Sequence, residues 1–274
     1  MTAIEVDNLS FSYGDRQVLE KLSFAVAAGR FLAVAGPNGA GKTTLINLLC
    51  GLLKIQSGSV KIDGRSLRSY SRRALAGKTA IVKQEFIPVF GFTVAETVLA
   101  ARTVYYNHLG FESEADRRIV KEALEATDTS AFAARTLGQL SGGERQRVFI
   151  ARALAQDTGI LLLDEPASFL DLKHRVGIYD LLKRAQLEKD KTIVAITHDV
   201  NLASQYADEV LLLGCDGSFH FGSSEQILSQ ERVEELFGVK TFTADAGGRK
   251  IFVPLGKFSA GAGPTGGEQQ DRQE

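Results

Sequence analysis

Tryptophan is absent from the 274 residues, methionine occurs once, proline five times and cysteine twice. Cys50 and Cys215 lie far apart and lack metal-ligand spacing, which excludes a disulfide scaffold or a thiolate metal site and suits a reducing compartment. Both are expected to be inert core thiols. Charge of one sign is lacking too: 32 Lys and Arg against 33 Asp and Glu leave a net charge of -1. No bulk positive field draws the chain to nucleic acid or anionic lipid, so any such contact has to be local. No run approaches the roughly 18 apolar residues a membrane span needs, and the opening stretch Met1–Asn8 has no charged leader before an apolar segment. The expectation is a protein neither exported nor membrane-crossing.

What is there is globular. The apolar fraction of 44% and charged fraction of 24% exclude disordered and collagenous classes. The length exceeds one average domain and falls short of two, which suggests a core domain with an inserted subdomain. Partial alternation over Ile4–Phe11 and Val18–Val26, around the turn Tyr13-Gly14-Asp15, predicts β-structure, as does Ser59–Ile62 between Gly58 and Gly64. A second kind of strand is interleaved. Phe31–Ala35, Ile160–Leu163, Ile193–Thr197 and Val210–Leu213 are short, continuous apolar runs, as expected of strands buried on both faces of a parallel sheet. Helical faces lie between them, Leu45, Leu48, Leu49 and Leu52 on one and Ile178, Leu181, Leu182 and Ala185 on another. The fold class is α/β. From Thr93 to Gly138 the pattern is helical only, with a capping box at Thr93 and Glu96 and an apolar face of Val120, Ala123 and Leu124. After Gly238 there is one short apolar run, Ile251–Val253, and then a tail, Gly261–Glu274, too polar to order itself.

Three stretches carry chemistry. Gly36-Pro37-Asn38-Gly39-Ala40-Gly41-Lys42-Thr43-Thr44 follows a predicted strand and opens a predicted helix, the context that GxxxxGK[ST] requires. Its glycines let backbone N–H groups wrap phosphate oxygens, and the helix adds its positive end. Lys42 should reach the β- and γ-phosphates and Thr43 should ligate Mg²⁺. Ile160–Glu165 puts two carboxylates at the end of a buried strand, where open α/β sheets bind ligands. Asp164 is suited to the Mg²⁺ shell and Glu165 to an attacking water; the plain alternative is a pair that caps the next element. In Leu140-Ser141-Gly142-Gly143-Glu144-Arg145-Gln146-Arg147, a capping box between Ser141 and Glu144 is a complete structural explanation of those two residues. It leaves the glycines unexplained, and small residues at a helix start expose N–H groups to an anion.

LSGGERQR, together with the phosphate loop and ILLLDEP, resembles the signature set of ABC-type ATPases, and the resemblance covers roughly residues 2–240. It implies a P-loop NTPase (RecA-like) core with a mainly parallel sheet, an N-terminal antiparallel β-subdomain and an inserted helical subdomain. The core would span 1–90 and 139–240, the helical subdomain 91–138 and a C-terminal extension 241–274. The implied ligands are ATP and Mg²⁺. Tyr13 looks like the adenine-stacking aromatic, though a hairpin tyrosine would read the same. Gln84 resembles the glutamine that touches Mg²⁺ and lines the membrane-domain contact; by itself it is an ordinary loop residue. Ser168–Asp171 resembles the loop that crosses to a partner subunit, and Asp171 could otherwise be a plain N-cap. His198 stands where the family has a histidine on the γ-phosphate, while His174 and His108 read as surface residues. Ala167 and Glu144 depart from the commoner Thr and Gln; neither change removes a catalytic group.

In the family the signature of one subunit closes over nucleotide held by another, so a head-to-tail homodimer is expected, with Lys42, Asp164 and Glu165 in cis and Ser141 and Gly143 in trans. The apolar stretch Glu85–Thr93 would be a docking surface for a separate polytopic permease at the cytoplasmic face of the membrane, or else a loop tucked into the insert. Gly91–Val98, Ala101-Arg102, the long insert and Ile251–Leu255 are most similar to ATPases of importers for metal chelates, meaning iron-siderophore, haem or cobalamin, which work with an extracytoplasmic binding protein. The rival is a soluble ABC ATPase acting on DNA or ribosomes. About a hundred residues without sustained heptads separate phosphate loop from signature, which leaves no room for the long coiled coil of the DNA-repair members. No nucleic acid partner is expected. A small-molecule kinase sharing the phosphate loop would leave the signature without a task.

Overall fold

The computed structural model describes residues 1–83, 91–106, 111–168 and 170–256. Gln84, the segment 85–90, His108, Phe169 and the tail 261–274 lie outside the described residues. In chain order the elements are β1 (Thr2–Tyr13), β2 (Arg16–Ala27), β3 (Phe31–Ala35), α1 (Lys42–Leu49), β4 (Ser57–Ile62), β5 (Arg65–Ser66), α2 (Arg72–Ala76) and β6 (Thr79–Val82). Then follow α3 (Val94–Leu99), α4 (Glu114–Ala126), α5 (Gly142–Ala155), β7 (Ile160–Asp164), α6 (Leu172–Lys189), β8 (Thr192–Ile196), α7 (Val200–Tyr206) and β9 (Glu209–Leu213). The chain continues through β10 (Phe219–Ser223), α8 (Ser224–Ile227), α9 (Gln230–Phe237), β11 (Thr241–Ala246) and β12 (Arg249–Pro254).

Alternation along the central strands divides the core into two. The main sheet has the order β10-β9-β3-β8-β7-β6, with parallel pairing throughout except at β10. Phe31, Ala33 and Ala35 face one cluster with Leu161, Leu163, Ile193, Ala195 and residues of α5, α6 and α7. Leu32 and Val34 face the other, with Leu162, Val194, Ile196, α1 and the antiparallel sheet β2-β1-β4-β5. Every residue of β3, β7 and β8 is buried, the reason these runs are apolar without a break. The predicted α/β class, with its antiparallel N-terminal sheet and its helical insert, is the observed one.

Boundaries differ in places. Leu52, expected on the face of α1, is 56% exposed, because the helix ends at Leu49 and Gly51 turns the chain left-handed at φ 70°. The strand expected at Ile193–Thr197 runs Thr192–Ile196, which leaves Thr197 just past its end. Cys215, expected in the core, is exposed, and Cys50 is only partly buried. Beyond Gly238 there is a hairpin of two strands where one apolar run was expected, and its Phe252 is 1% exposed.

The insert is pinched at its base by a bridge between Thr93 and Thr136, with the Val94 N–H donating to the Arg135 carbonyl at 2.9 Å. The expected capping box of Thr93 and Glu96 is in place. Arg102, buried, fastens the insert to the signature helix. It donates from Nε to Asp116 Oδ1 at 2.8 Å and from Nη1 to the Ala155 carbonyl at 2.9 Å.

Two outcomes follow from these contacts. Arg102→Met should destabilise the fold by about 3–5 kcal/mol in urea titration, since it leaves the Asp116 carboxylate buried without its cation. Glu234, which accepts from Lys240, from the Thr241 N–H at 2.8 Å and from Gln230, is held down to about 2, chiefly by Lys240. A depressed folded value stabilises above the ordinary carboxylate range and is lost as pH falls through the folded value. The Tm gap between wild type and Glu234→Gln should therefore be present at pH 7 and close between about pH 5 and about pH 2.

Candidate functional site

Register brings three strand ends side by side. Val34 of β3 pairs with Ile196 of β8, which pairs with Asp164 of β7. The residues just beyond, Gly36, His198 and Glu165, therefore emerge at one carboxyl edge of the sheet, where open α/β folds bind ligands.

From β3 the chain enters the loop Gly36–Gly41. Gly36 has φ 153°, and a Cβ there would sit 2.2 Å from the Leu213 carbonyl oxygen. Gly41 begins α1 in the left-handed region at φ 91°. No side chain caps α1, and its first turn carries no acidic residue, so the first N–H groups are left for an anion. Lys42, buried, folds back to donate from Nζ to the carbonyls of Gly36 and Pro37, both at 2.8 Å. Burial pushes its ammonium below the usual lysine range, while the negative charges of Glu165 and Asp164 oppose that. Ala40 and Thr44 are buried and Asn38, Gly39 and Thr43 exposed, so the loop presents its backbone outward.

Asp164 is 4% exposed, and its Oδ1 has no hydrogen-bond partner. Burial raises its carboxyl above the usual range; a hydrogen bond with Thr43 pulls the other way. A buried carboxylate oxygen without a partner, next to a hydroxyl at a phosphate loop, is a donor set that fits a hard divalent cation. Among the described residues no group of three or more His, Cys, Asp or Glu could hold a metal.

Glu165 adopts φ 50°, left-handed for a side chain with a Cβ, a conformation that tends to mark functional sites. The turn aims its carboxylate at His198 Nε2 and receives the Ser168 hydroxyl at 2.7 Å. The pair lines a cavity of about 220 Å³ together with Arg175, Tyr179, Thr197 and Asp199 among others. The remaining expected residues have local roles. Tyr13 ends β1 half exposed, edge-on to Phe11 at 4.9 Å between ring centroids. Asp171 is the N-cap of α6, accepting from the His174 N–H at 2.9 Å. Ser141 and Glu144 form their capping box, which leaves Gly142 and Gly143 in the first turn of α5.

Sequence reasoning missed two neighbours of the loop. Arg16 Nη2 lies 3.6 Å from where a Gly39 Cβ would be, and Cys215 Sγ donates to the Asn38 carbonyl at 3.6 Å. The signal for Arg16 was present, since a two-residue turn pairs it with Tyr13; none pointed to Cys215.

Comparison with known proteins shows the family. The family model described as ABC transporter matches residues 19–168. This chain belongs to the ABC transporter family. Such cassettes are ATPases, and the phosphate loop, the carboxylate pair and the signature all lie on the chain. The petrobactin import ATP-binding protein FpuD of Bacillus anthracis is 35% identical over 257 residues, 93% of this chain and 94% of that protein. The ferric enterobactin transport ATP-binding protein FepC of Escherichia coli is 33% identical over 253 residues, 92% and 93% of the two chains. Among solved structures, an ABC transporter of metal-chelate type in an inward-facing conformation superposes with TM-score 0.81 at 32% identity, covering 93% of this cassette and 98% of that chain. A dimeric ATP-binding cassette bound to ADP and Pi has TM-score 0.71 at 30% identity, covering 81% and 98%.

Gly36→Ala tests the loop's close approach. The methyl group meets a backbone carbonyl rather than a movable side chain, so the loop has to shift. Expected outcomes are a loss of about 1–3 kcal/mol in thermal unfolding and weakened ATP binding by calorimetry.

Proposed function

We propose that this chain is the ATP-binding and ATP-hydrolysing subunit of an importer for a metal chelate, working as a homodimer on a separate permease at the cytoplasmic face of the membrane. The observation that carries the reading is the meeting of Lys42, Asp164, Glu165 and His198 at the ends of three adjacent parallel strands. The cargo class rests on relatives named for petrobactin, ferric enterobactin and achromobactin, the last being CbrD of Dickeya dadantii, and on a structural neighbour of metal-chelate type. Those names favour an iron-siderophore over haem or cobalamin. No helix among the described residues is long and apolar enough to cross a membrane, so a permease and an extracytoplasmic binding protein would be other chains.

ATP would seat its phosphates on the N–H groups of Gly36–Thr44 and its adenine on Tyr13. Lys42 would exchange its bonds to the Gly36 and Pro37 carbonyls for the β- and γ-phosphate oxygens. Thr43 and Asp164, with Gln84 by family resemblance, would hold Mg²⁺, which would supply positive charge for the phosphates. Glu165 accepts a proton from water as the water attacks the γ-phosphorus, the bond to the β–γ bridging oxygen breaks, and ADP leaves with its charge stabilised by Lys42. His198 would hold the γ-phosphate while its contact to Glu165 orients the base. Ser141, Gly142 and Gly143 of the partner cassette would close the site, and Asp171 would sit at the crossing between subunits. Closure excludes bulk water from the γ-phosphate, which is what makes nucleotide binding and dimer formation one event.

Glu165→Gln checks both halves of this reading. Hydrolysis should fall by about 10²–10⁴-fold while ATP is still bound, and light scattering should report a dimer in ATP. A variant that stays monomeric in saturating MgATP overturns the dimer, and an unchanged rate overturns the role of Glu165.

A further inference from the structure

The C-terminal hairpin packs on α7, and one side chain of the first helical turn bonds to it twice. Asn201 Oδ1 accepts from the Phe252 N–H at 2.8 Å, and Asn201 Nδ2 donates to the Phe252 carbonyl at 3.1 Å. One amide thus satisfies both polar groups of a peptide on β12, as a neighbouring strand would. The Phe252 side chain is buried in the core at the same point, while its cross-strand partner Thr243 lies on β11. The hairpin is not a loose arm. Glu234 and Gln230 hold Thr241 at its start, and Lys250 donates to the Leu228 carbonyl at 3.2 Å.

Asn201 sits in the first turn of α7, three residues after His198. The loop between β8 and α7 has other restraints, beginning with the Thr197 N–H, which donates to the Val34 carbonyl of β3 at 3.0 Å. Asp199 caps the helix through the N–H groups of Asn201 and Leu202, at 2.9 and 3.2 Å, and receives Arg175 at 3.5 Å. Thr197 Oγ1 accepts from the Asp199 N–H at 3.0 Å. These contacts hold the loop to the end of β3, to its own helix cap and to one partly exposed arginine, and the cavity of about 220 Å³ is lined by Glu165 and His198 themselves. The clasp to the hairpin adds a tie from outside the loop, at the second residue of α7.

We propose that Asn201 is a positioning residue for ATP hydrolysis: through its two bonds to Phe252 it sets the first turn of α7 and so the placement of His198 against Glu165. The proposal rests on the reading of Glu165 and His198 given above.

The test uses the intact chain with MgATP. Asn201→Ala removes both bonds; Asn201→Asp keeps the acceptor for the Phe252 N–H. Asn201→Ala should lower kcat roughly tenfold to a hundredfold with KM changed less than about threefold, and Asn201→Asp should lose less. In NMR, the imidazole resonance that His198→Ala abolishes should shift in Asn201→Ala, while those of His174 and His220 stay in place. In a His198→Ala background the Asn201 change should add less than about twofold. A folded Asn201→Ala with wild-type kcat, or the same loss with and without His198, overturns the proposal and leaves the site reading intact. A wild-type rate in His198→Ala overturns the site reading itself and the proposal with it. Should Asn201→Ala fail to fold, Asn201→Asp carries the same comparison.

Discussion

The site depends on one constraint: three parallel strands, each buried on both faces, have to end at the same edge. With β3, β8 and β7 paired in fixed register, Val34, Ile196 and Asp164 form a row, and the chain has nowhere to turn except at the residues just beyond. A slip of one residue in any strand would send its apolar residues to the wrong core, so register is enforced by roughly 25 cal/mol per Å² of apolar surface rather than by the site. The polar groups at the edge are thereby positioned by packing in which they take no part. This explains how a left-handed Glu165 and an orphaned Asp164 oxygen are tolerated: both are local costs carried by a core that does not depend on them.

Charge at that edge is arranged to be incomplete. Lys42 and Asp164 are both buried, and burial pushes each toward its neutral form, the lysine down and the carboxyl up. Lys42 rests on two carbonyls, which satisfy its hydrogens without neutralising it. Lys42 and Asp164 offset part of each other's cost, and a phosphate chain beside the lysine with a divalent ion beside the carboxylate would relieve both groups further.

How much of this could be read from sequence follows from how local each cause is. The phosphate loop was legible because its spacing encodes backbone geometry: Gly36 and Gly41 stand where a Cβ would collide or the backbone turns left-handed. The capping boxes at Thr93 and Ser141 close within four residues, and the central strands declare themselves because two buried faces leave no room for alternation. Leu52 misled because helical spacing continues through a sequence whose Gly51 has already ended the helix. The strand Thr241–Ala246 was missed because half its residues are polar and its order comes from Glu234 and from the neighbouring strand of the Asn201–Phe252 pair, a contact between residues 51 apart. Cys215 lies against Asn38 only through a fold that joins residues 177 apart.

The signature helix shows what its sequence leaves available. Ser141 spends its hydroxyl twice, donating to Glu144 Oε2 at 2.8 Å and accepting from the Glu144 N–H at 3.3 Å, while its own N–H also goes to that carboxylate. The Ser141 N–H is the largest influence holding Glu144 below the usual carboxylate range, so the competitor for the hydroxyl is an anion. In the proposed dimer, an arriving γ-phosphate finds the helix N-terminus with Gly142 and Gly143 unobstructed but the serine engaged. It can use the glycine N–H groups at once, and to gain the hydroxyl it has to displace a carboxylate that repels it. A neutral amide at position 144, the commoner family residue, would yield more readily.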